Sequence, residues 1–209
     1  MNRRSKFLPL VLAVILALGM FPATAWAAGG TGTTGIWKWK VLDDGTLSIT
    51  GCTAPSGDLT LPGSLDIGSG PVAVTGIESN AFKTDPLFDP SQIKTFTMPD
   101  SVTNVGDGAF SSCKNMTSVT LSANLKSIGA SAFYSCEKLT EIVIPDSVES
   151  IGSNAFSYCY ALTNATLPNN PAFTVIPEKL FWGDGLLKTT NIASLNHLES
   201  IGIHAFGDS

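Results

Sequence analysis

Charge is scarce in this sequence. Only 14% of its 209 residues are Asp, Glu, Lys or Arg, against about a quarter in an ordinary globular domain. With 44% of the residues hydrophobic, that balance excludes a disordered acidic tail and a coiled coil. Positive charge is scarcer still. Twelve basic residues face 17 acidic ones, and Arg3, Arg4 and Lys6 lie at the very start, so that beyond Ala27 nine basic residues face seventeen acidic and the net charge is −8. A chain without a Lys/Arg surplus cannot neutralise phosphates, which sets aside nucleic acid and anionic lipid as partners. Histidine occurs only as His197 and His204. A hydrolytic triad needs a His beside a Ser and a carboxylate. No Gly-x-Ser-x-Gly nucleophile turn and no phosphate-cradling glycine loop is present either. His204, just before an Ala-Phe pair, reads as a solvated residue. Neither an enzyme nor a cofactor is expected, and the length suits one domain with a sizeable core.

Long apolar runs are limited to one. Met1–Lys6 carries three positive charges, Phe7–Met20 is almost wholly apolar, and Ala25-Trp26-Ala27 has the small-x-small form that signal peptidase reads. Residues 1–27 are therefore expected to be a signal peptide cleaved after Ala27. Phe7–Met20 is too short to span a membrane comfortably, and no later stretch is long enough, so the expected product is exported without a membrane span.

What the sequence has is a repeat. Val105-Gly-Asp-Gly-Ala-Phe-Ser-Ser-Cys is followed 23 residues later by Ile128-Gly-Ala-Ser-Ala-Phe-Tyr-Ser-Cys and after 23 more by Ile151-Gly-Ser-Asn-Ala-Phe-Ser-Tyr-Cys. The Phe recurs as Phe82, Phe110, Phe133, Phe156, Phe181 and Phe206, at spacings of 28, 23, 23, 25 and 25. The aliphatic opener recurs as Ile77, Val105, Ile128, Ile151, Ile176 and Ile201. A fixed period of this length is the signature of a solenoid, in which one unit cannot bury its apolar face alone but stacked units can. Within the unit, Ile142 and Ile144 alternate with polar residues as a short strand, and Phe96/Met98, Val119/Leu121 and Ala165/Leu167 repeat the pair. Pro99, Pro145 and Pro168 stop that strand, since a proline cannot donate to a ladder. Gly152 is expected to allow a tight bend, and Ser-x-Ala-Phe-x-x-Cys to form one or two helical turns.

These residues resemble the BspA-like leucine-rich-repeat family, whose unit reads Ile-Gly-x-x-Ala-Phe-x-x-Cys-x-x-Leu-x-x-Ile-x-Ile-Pro. The resemblance runs from Leu59 to the C-terminus. It implies an α/β repeat solenoid: a right-handed array with a short parallel β-sheet and short helical turns, carried by exported bacterial surface proteins that bind other proteins. The unit at Ile176 departs from the pattern, with Pro177 for Gly, Leu180 for Ala and Asp184 for Cys, and an insert around Thr84–Ser91 interrupts the first full unit.

Residues 36–58 read as an N-terminal β-hairpin cap, because Ile36–Leu42 and Thr46–Thr50 alternate around Asp43-Asp44-Gly45. Trp37 and Trp39 on one face are taken to close the first coil, with a carbohydrate platform as the alternative. Ala28–Gly35 reads as a flexible Gly/Thr lead, and 59–209 as repeats of which the last is incomplete. Cys113, Cys136 and Cys159 follow the repeat period rather than a metal-ligand spacing, and are expected as buried thiols, with an inter-coil disulfide and a metal as alternatives. Cys52 has no evident partner. Asp85 and Asp89 in the insert read as part of a turn, with weak calcium binding as the alternative.

The outward strand positions remain for function. One file is Thr97, Thr120, Val143, Thr166 and Asn191. The other is Thr95, Ser118, Glu141, Asn164 and Thr189. Together they make a hydroxyl-rich face for protein or glycoprotein ligands, and a non-catalytic adhesion-type module is the leading expectation. The alternative is a structural component that self-associates through its last coil. There the sequence stops three residues after Phe206, which predicts an exposed strand edge.

Overall fold

The computed structural model describes residues 28–53, 57–83 and 89–208. The expected signal peptide and Asp85 lie outside the described residues. The strands are β1 (Thr31–Thr34), β2 (Trp37–Val41), β3 (Leu47–Cys52), β4 (Gly57–Thr60), β5 (Ser64–Asp66), β6 (Pro71–Ile77), β7 (Ile93–Thr97) and β8 (Asn104–Val105). They continue as β9 (Ser118–Thr120), β10 (Ser127–Ile128), β11 (Glu141–Val143), β12 (Ser150–Ile151), β13 (Asn164–Thr166), β14 (Val175–Ile176), β15 (Thr189–Thr190) and β16 (Ser200–Ile201). Two kinds of strand alternate along the chain, so each coil places one strand in each of two stacks. The Ile-Gly strands continue β1-β2-β3 through β6-β8-β10-β12, and the Ile-x-Ile strands stack as β4-β7-β9 and β11-β13-β15.

The core is a set of ladders along the axis. Phe82, Phe110, Phe133, Phe156, Phe181 and Phe206 stack in sequence at centroid distances of 4.8, 5.1, 5.2, 5.8 and 5.6 Å. These separations match the strand spacing, which forces equivalent side chains of successive coils into contact. The openers Ile77, Val105, Ile128, Ile151 and Ile176 are buried beside them.

The Ser-x-Ala-Phe-x-x-Cys segment does not form the expected helical turns. Among the described residues the only helical pieces are 3-10 turns at Pro90–Gln92 and Ile192–Ser194, the first with Asp89 accepting from Ser91 N. Two residues per coil stand at positive φ. Two before the Phe these are Asn80, Gly108, Ser131, Asn154, Lys179 and His204, and two after it Ser112, Ser135, Tyr158, Gly183 and Asp208. Left-handed residues break the i→i−4 pattern, and the N–H groups are spent across coils instead. Phe110 N donates to Ala132 O and Phe133 N to Ala155 O, both at 2.8 Å, and Ser135 N to Ser157 O at 2.9 Å.

The repeat glycine serves close approach rather than a bend. Gly106, Gly129, Gly152 and Gly202 are absent from the positive-φ residues, but a Cβ on each would lie 2.2–2.5 Å from a backbone nitrogen of the preceding coil. Each donates its N–H to the opener of that coil, as Gly152 N does to Ile128 O at 2.8 Å. Pro177 has no N–H to give, so the long sheet ends at β12 and β14 pairs with β16 apart from it. Gly152→Ala should therefore cost about 1–3 kcal/mol by overpacking. Ser153→Ala, next to it, should stay within about 0.5 kcal/mol. Urea unfolding of the two variants checks this, and equal midpoints would remove the close-approach role.

The N-terminal segment differs from expectation in one respect. Thr31–Thr34 is not part of a flexible lead but pairs antiparallel with Trp37–Lys40. Gly32 lets the Trp39 ring lie against it, where a Cβ would be 2.4 Å from the indole, and Trp39 Nε1 donates to Thr34 Oγ1 at 3.0 Å. β2 and β3 are antiparallel around Gly45 at φ +82°, with Asp44 Oδ1 accepting from Thr46 N, and β3 joins β6 in parallel. Trp37 meets Phe82 and Phe96 edge-on, and both hairpin tryptophans are buried, which leaves no ring face for a sugar.

Candidate ligand-binding face

The Ile-x-Ile strands place their residues by the period of two that a pleated strand imposes. Phe96, Ile142 and Ala165 point into the core and are buried. Their neighbours stand in register on the other side: Thr95 opposite Ser118 and Thr97 opposite Thr120 in one stack, Glu141 opposite Asn164 and Val143 opposite Thr166 in the next. Asn164 in turn faces Thr189. Ser118, Thr120, Glu141, Val143, Asn164, Thr166 and Thr189 are exposed, Val143 at 54%.

Asn191 does not belong to this face. The chain turns there into a 3-10 turn, and its amide bonds the backbone of the coil before it, accepting from Leu167 N at 2.8 Å and donating to Leu167 O at 2.9 Å. A side chain thus takes over the pairing that the strand gives up. Thr95 and Thr97 are only half-exposed, and Thr95 Oγ1 donates to Asp58 Oδ1 at 2.9 Å. Asp58 and Thr60 extend the two files by one coil, since β4 pairs Asp58 with Thr95 and Thr60 with Thr97. Leu59 and Leu61, which match the inward pair, were the signal for them. The charged residues of the two files, Asp58 and Glu141, are both acidic.

The face opens in its middle. No ladder joins β9 to β11, and a cavity of about 510 Å³ lies there, lined by Ser118, Val119, Thr120, Leu121, Glu141 and Val143 among others. Val119 and Leu121, whose counterparts Ile142 and Ile144 are buried, remain half-exposed. Four of the candidate residues therefore surround a cleft with an apolar floor.

The three repeat cysteines pack in the core. Cys113, Cys136 and Cys159 are buried thiols, and Cys136 Sγ and Cys159 Sγ donate to Phe110 O and Phe133 O, each at 3.4 Å. Burial pushes all three well above the ordinary thiol range, most strongly by desolvation. Cys52 is also a buried thiol, and its proximity raises Cys113 further. Asp184 continues it at the other end, as the side chain that bonds Cys159 N at 2.7 Å. Among the described residues no group of three or more His, Cys, Asp or Glu is placed to hold a metal ion. His204 is exposed, and its ring stacks on Trp182 at 5.6 Å.

A family model described as the BspA type leucine rich repeat region matches residues 75–209 in six copies. The chain belongs to the BspA-type leucine-rich-repeat family. No match was found among curated proteins. Solved structures resemble it over 65–87% of its length. A leucine rich cell surface protein of Faecalibacterium prausnitzii A2-165 is 27% identical with a TM-score of 0.63, over 86% of this chain and 52% of its own. A leucine-rich repeat protein of Bacteroides capillosus ATCC 29799 is 32% identical with a TM-score of 0.55, over 65% of this chain and 96% of its own. The pneumococcal vaccine antigen PcpA shares the fold at 23% identity and a TM-score of 0.65, over 87% of this chain and 48% of its own. The BspA-type chain thus spans about half the length of two of these proteins. Family and fold are those of bacterial leucine-rich-repeat proteins, one of them described as a cell surface protein, and no helix among the described residues is long and apolar enough to cross a membrane.

Proposed function

We propose that this protein is an exported, non-catalytic module that binds protein or host-matrix ligands through the outward face of its Ile-x-Ile strands. One observation carries the reading: two in-register strand stacks with mostly Ser, Thr and Asn side chains outward meet at β9/β11 in a cleft with an apolar floor. The core ladders account for the inward residues, whereas the exposed positions have no such duty. Solenoid faces of this kind commonly provide extended binding surfaces. The β2–β3 hairpin, with Trp37 against Phe82 and Phe96, serves as the cap of the first coil. Cleavage after Ala27 frees the module for export.

The test is binding to a panel of immobilised extracellular-matrix proteins. Val143→Arg, which puts a long charged side chain at the cleft, should weaken capture at least about tenfold, a loss of about 1.4 kcal/mol, with the melting temperature unchanged. A panel with no bound member, or a variant that binds as the parent does, would sink the reading.

A further inference from the structure

The edge of the solenoid that carries the Ala-Phe-x-x-Cys segment gathers all three tyrosines of the chain. Tyr134 meets Tyr158 at 5.2 Å and Tyr158 meets Tyr160 at 6.0 Å, both near-perpendicular, while Trp182 stacks on Tyr158 at 6.4 Å. The repeat does not ask for these rings. Tyr134 and Trp182 directly follow the ladder Phe, where other coils have Ser111 and Ser157. Tyr158 stands where others have Ser112, Ser135 and Gly183, and Tyr160 where others have Lys114, Glu137 and Gly185. Four rings from three non-equivalent positions thus converge on one spot outside the core.

Tyr158 holds the positive φ, +61°, that this position of the repeat carries in the other coils as well. Its ring lies over Gly183, where a Cβ would be 2.8 Å from Tyr158 Cδ1. Tyr160 is 51% exposed. Polar groups frame the rings: Lys114 Nζ pairs with Glu137 Oε1 at 2.9 Å beside Tyr160, and Trp182 Nε1 donates to Asp208 Oδ2 at 2.8 Å. A cation already sits on this edge, with Lys179 Nζ 4.6 Å from the Trp182 ring centroid.

We propose that this aromatic edge docks a partner protein through arginine side chains that the partner supplies. The inference rests on the reading of the chain as a binding module, but not on the sheet face being the surface used. A guanidinium stacks on aromatic rings and its fork of donors reaches hydroxyl and carboxylate oxygens together. Tyrosine hydroxyls, Glu137 and Asp208 are such acceptors, and Tyr and Trp are the residues that dominate protein interfaces. The charge of −8 beyond Ala27 attracts a basic partner. The chain has no arginine after Arg4, so the arginine must come from another molecule.

Fluorescence anisotropy with labelled hexa-arginine, hexalysine and hexaglutamate peptides tests this on the exported chain. Hexa-arginine should bind about three- to tenfold tighter than hexalysine, the margin that ring stacking adds to charge alone. Tyr160→Ser should erase the preference at an unchanged melting temperature, and Tyr160→Phe, which keeps the ring, should retain it. Val143→Arg on the sheet face should leave it intact. Equal binding of the two basic peptides, or a preference that survives Tyr160→Ser, overturns the proposal. So does a binding of β-linked glucan that Tyr160→Ser removes while no arginine preference exists. Loss of matrix-protein capture in Val143→Arg would then still uphold the module reading by itself.

Discussion

Phe133→Ala is expected to lower the unfolding free energy by about 3–5 kcal/mol, the range for emptying a fully buried aromatic site. Phe133 has no solvent exposure and lies almost parallel to its neighbours, 5.1 Å from Phe110 at 4° and 5.2 Å from Phe156 at 2°. Its contacts run along the axis on both sides, so neither neighbour can slide in without breaking its own stack. Collapse around the cavity is further opposed by the Phe133 N bond to Ala155 O, which ties the backbone in place. In a quasi-one-dimensional array, stability is a sum of unit terms and nearest-neighbour terms, and this substitution weakens two interfaces at once. The denaturation profile should therefore broaden or split as well as shift, because the coils on either side lose their coupling. Thr120→Ala, on the exposed face, should change stability by less than about 0.5 kcal/mol. Equal small losses for both variants would mean that the phase of the repeat assigned to the core is wrong.

The same phase explains what could be read from the sequence. Between Val105 and Leu167 the Phe, Ile and Cys positions recur without slippage, and stacking identical units forces each into contact with its equivalent. The coil arrangement and the inward residues follow from that. The family pattern then agrees with a model match over residues 75–209. The path of the Ala-Phe-x-x-Cys segment did not follow. A window with Ser, Ala and Phe suits a helical turn by local propensity, yet its N–H groups bond to the next coil, a long-range effect that overrides local preference. Asn80, Gly108 and Asn154, types that tolerate positive φ, were the trace of it. Asn191 looked like one more outward rung, but its amide replaces a strand bond, and nothing in the periodicity separates it from Thr166. The opening at β9/β11 is equally silent in the sequence, for Ser118-Val119-Thr120-Leu121 alternates as regularly as Glu141-Ile142-Val143-Ile144. The tyrosine edge was hidden for the opposite reason: its residues follow no repeat position, so a reading by period passes over them.

Asp184 gives the second large effect, and its sign is unusual for an acid. The side chain is fully buried in the place where other coils have a cysteine. Oδ1 accepts from Cys159 N at 2.7 Å, and Oδ2 is buried without a hydrogen-bond partner. Desolvation raises the carboxyl to about 7, against 3.8 for the free group, and the bond from Cys159 N offsets only part of that. The folded state thus holds the proton more tightly than the unfolded chain. Below pH 4 both states are protonated and Asp184 costs nothing. As the pH rises from about 4 to 7 the unfolded chain ionises first, so stability falls, and above 7 the loss levels off near about 4 kcal/mol at 1.36 kcal/mol per unit. Between pH 8 and pH 5 the protein should regain about 2–3 kcal/mol from this group. Asp184→Asn keeps an oxygen for Cys159 N and cannot ionise. It should therefore be more stable than the parent at pH 8, equal to it near pH 4, and flatter between. Other carboxylates titrate in the same window, so the difference between the two proteins is the quantity to follow, by urea midpoints at each pH. Parallel curves for parent and variant would show that Asp184 is ionised in the folded state at no cost. Curves that meet near pH 4 and separate towards pH 8 would mean that the coil joined to the cysteine ladder through Asp184 and Cys159 is weakened as the surroundings turn from acid to neutral.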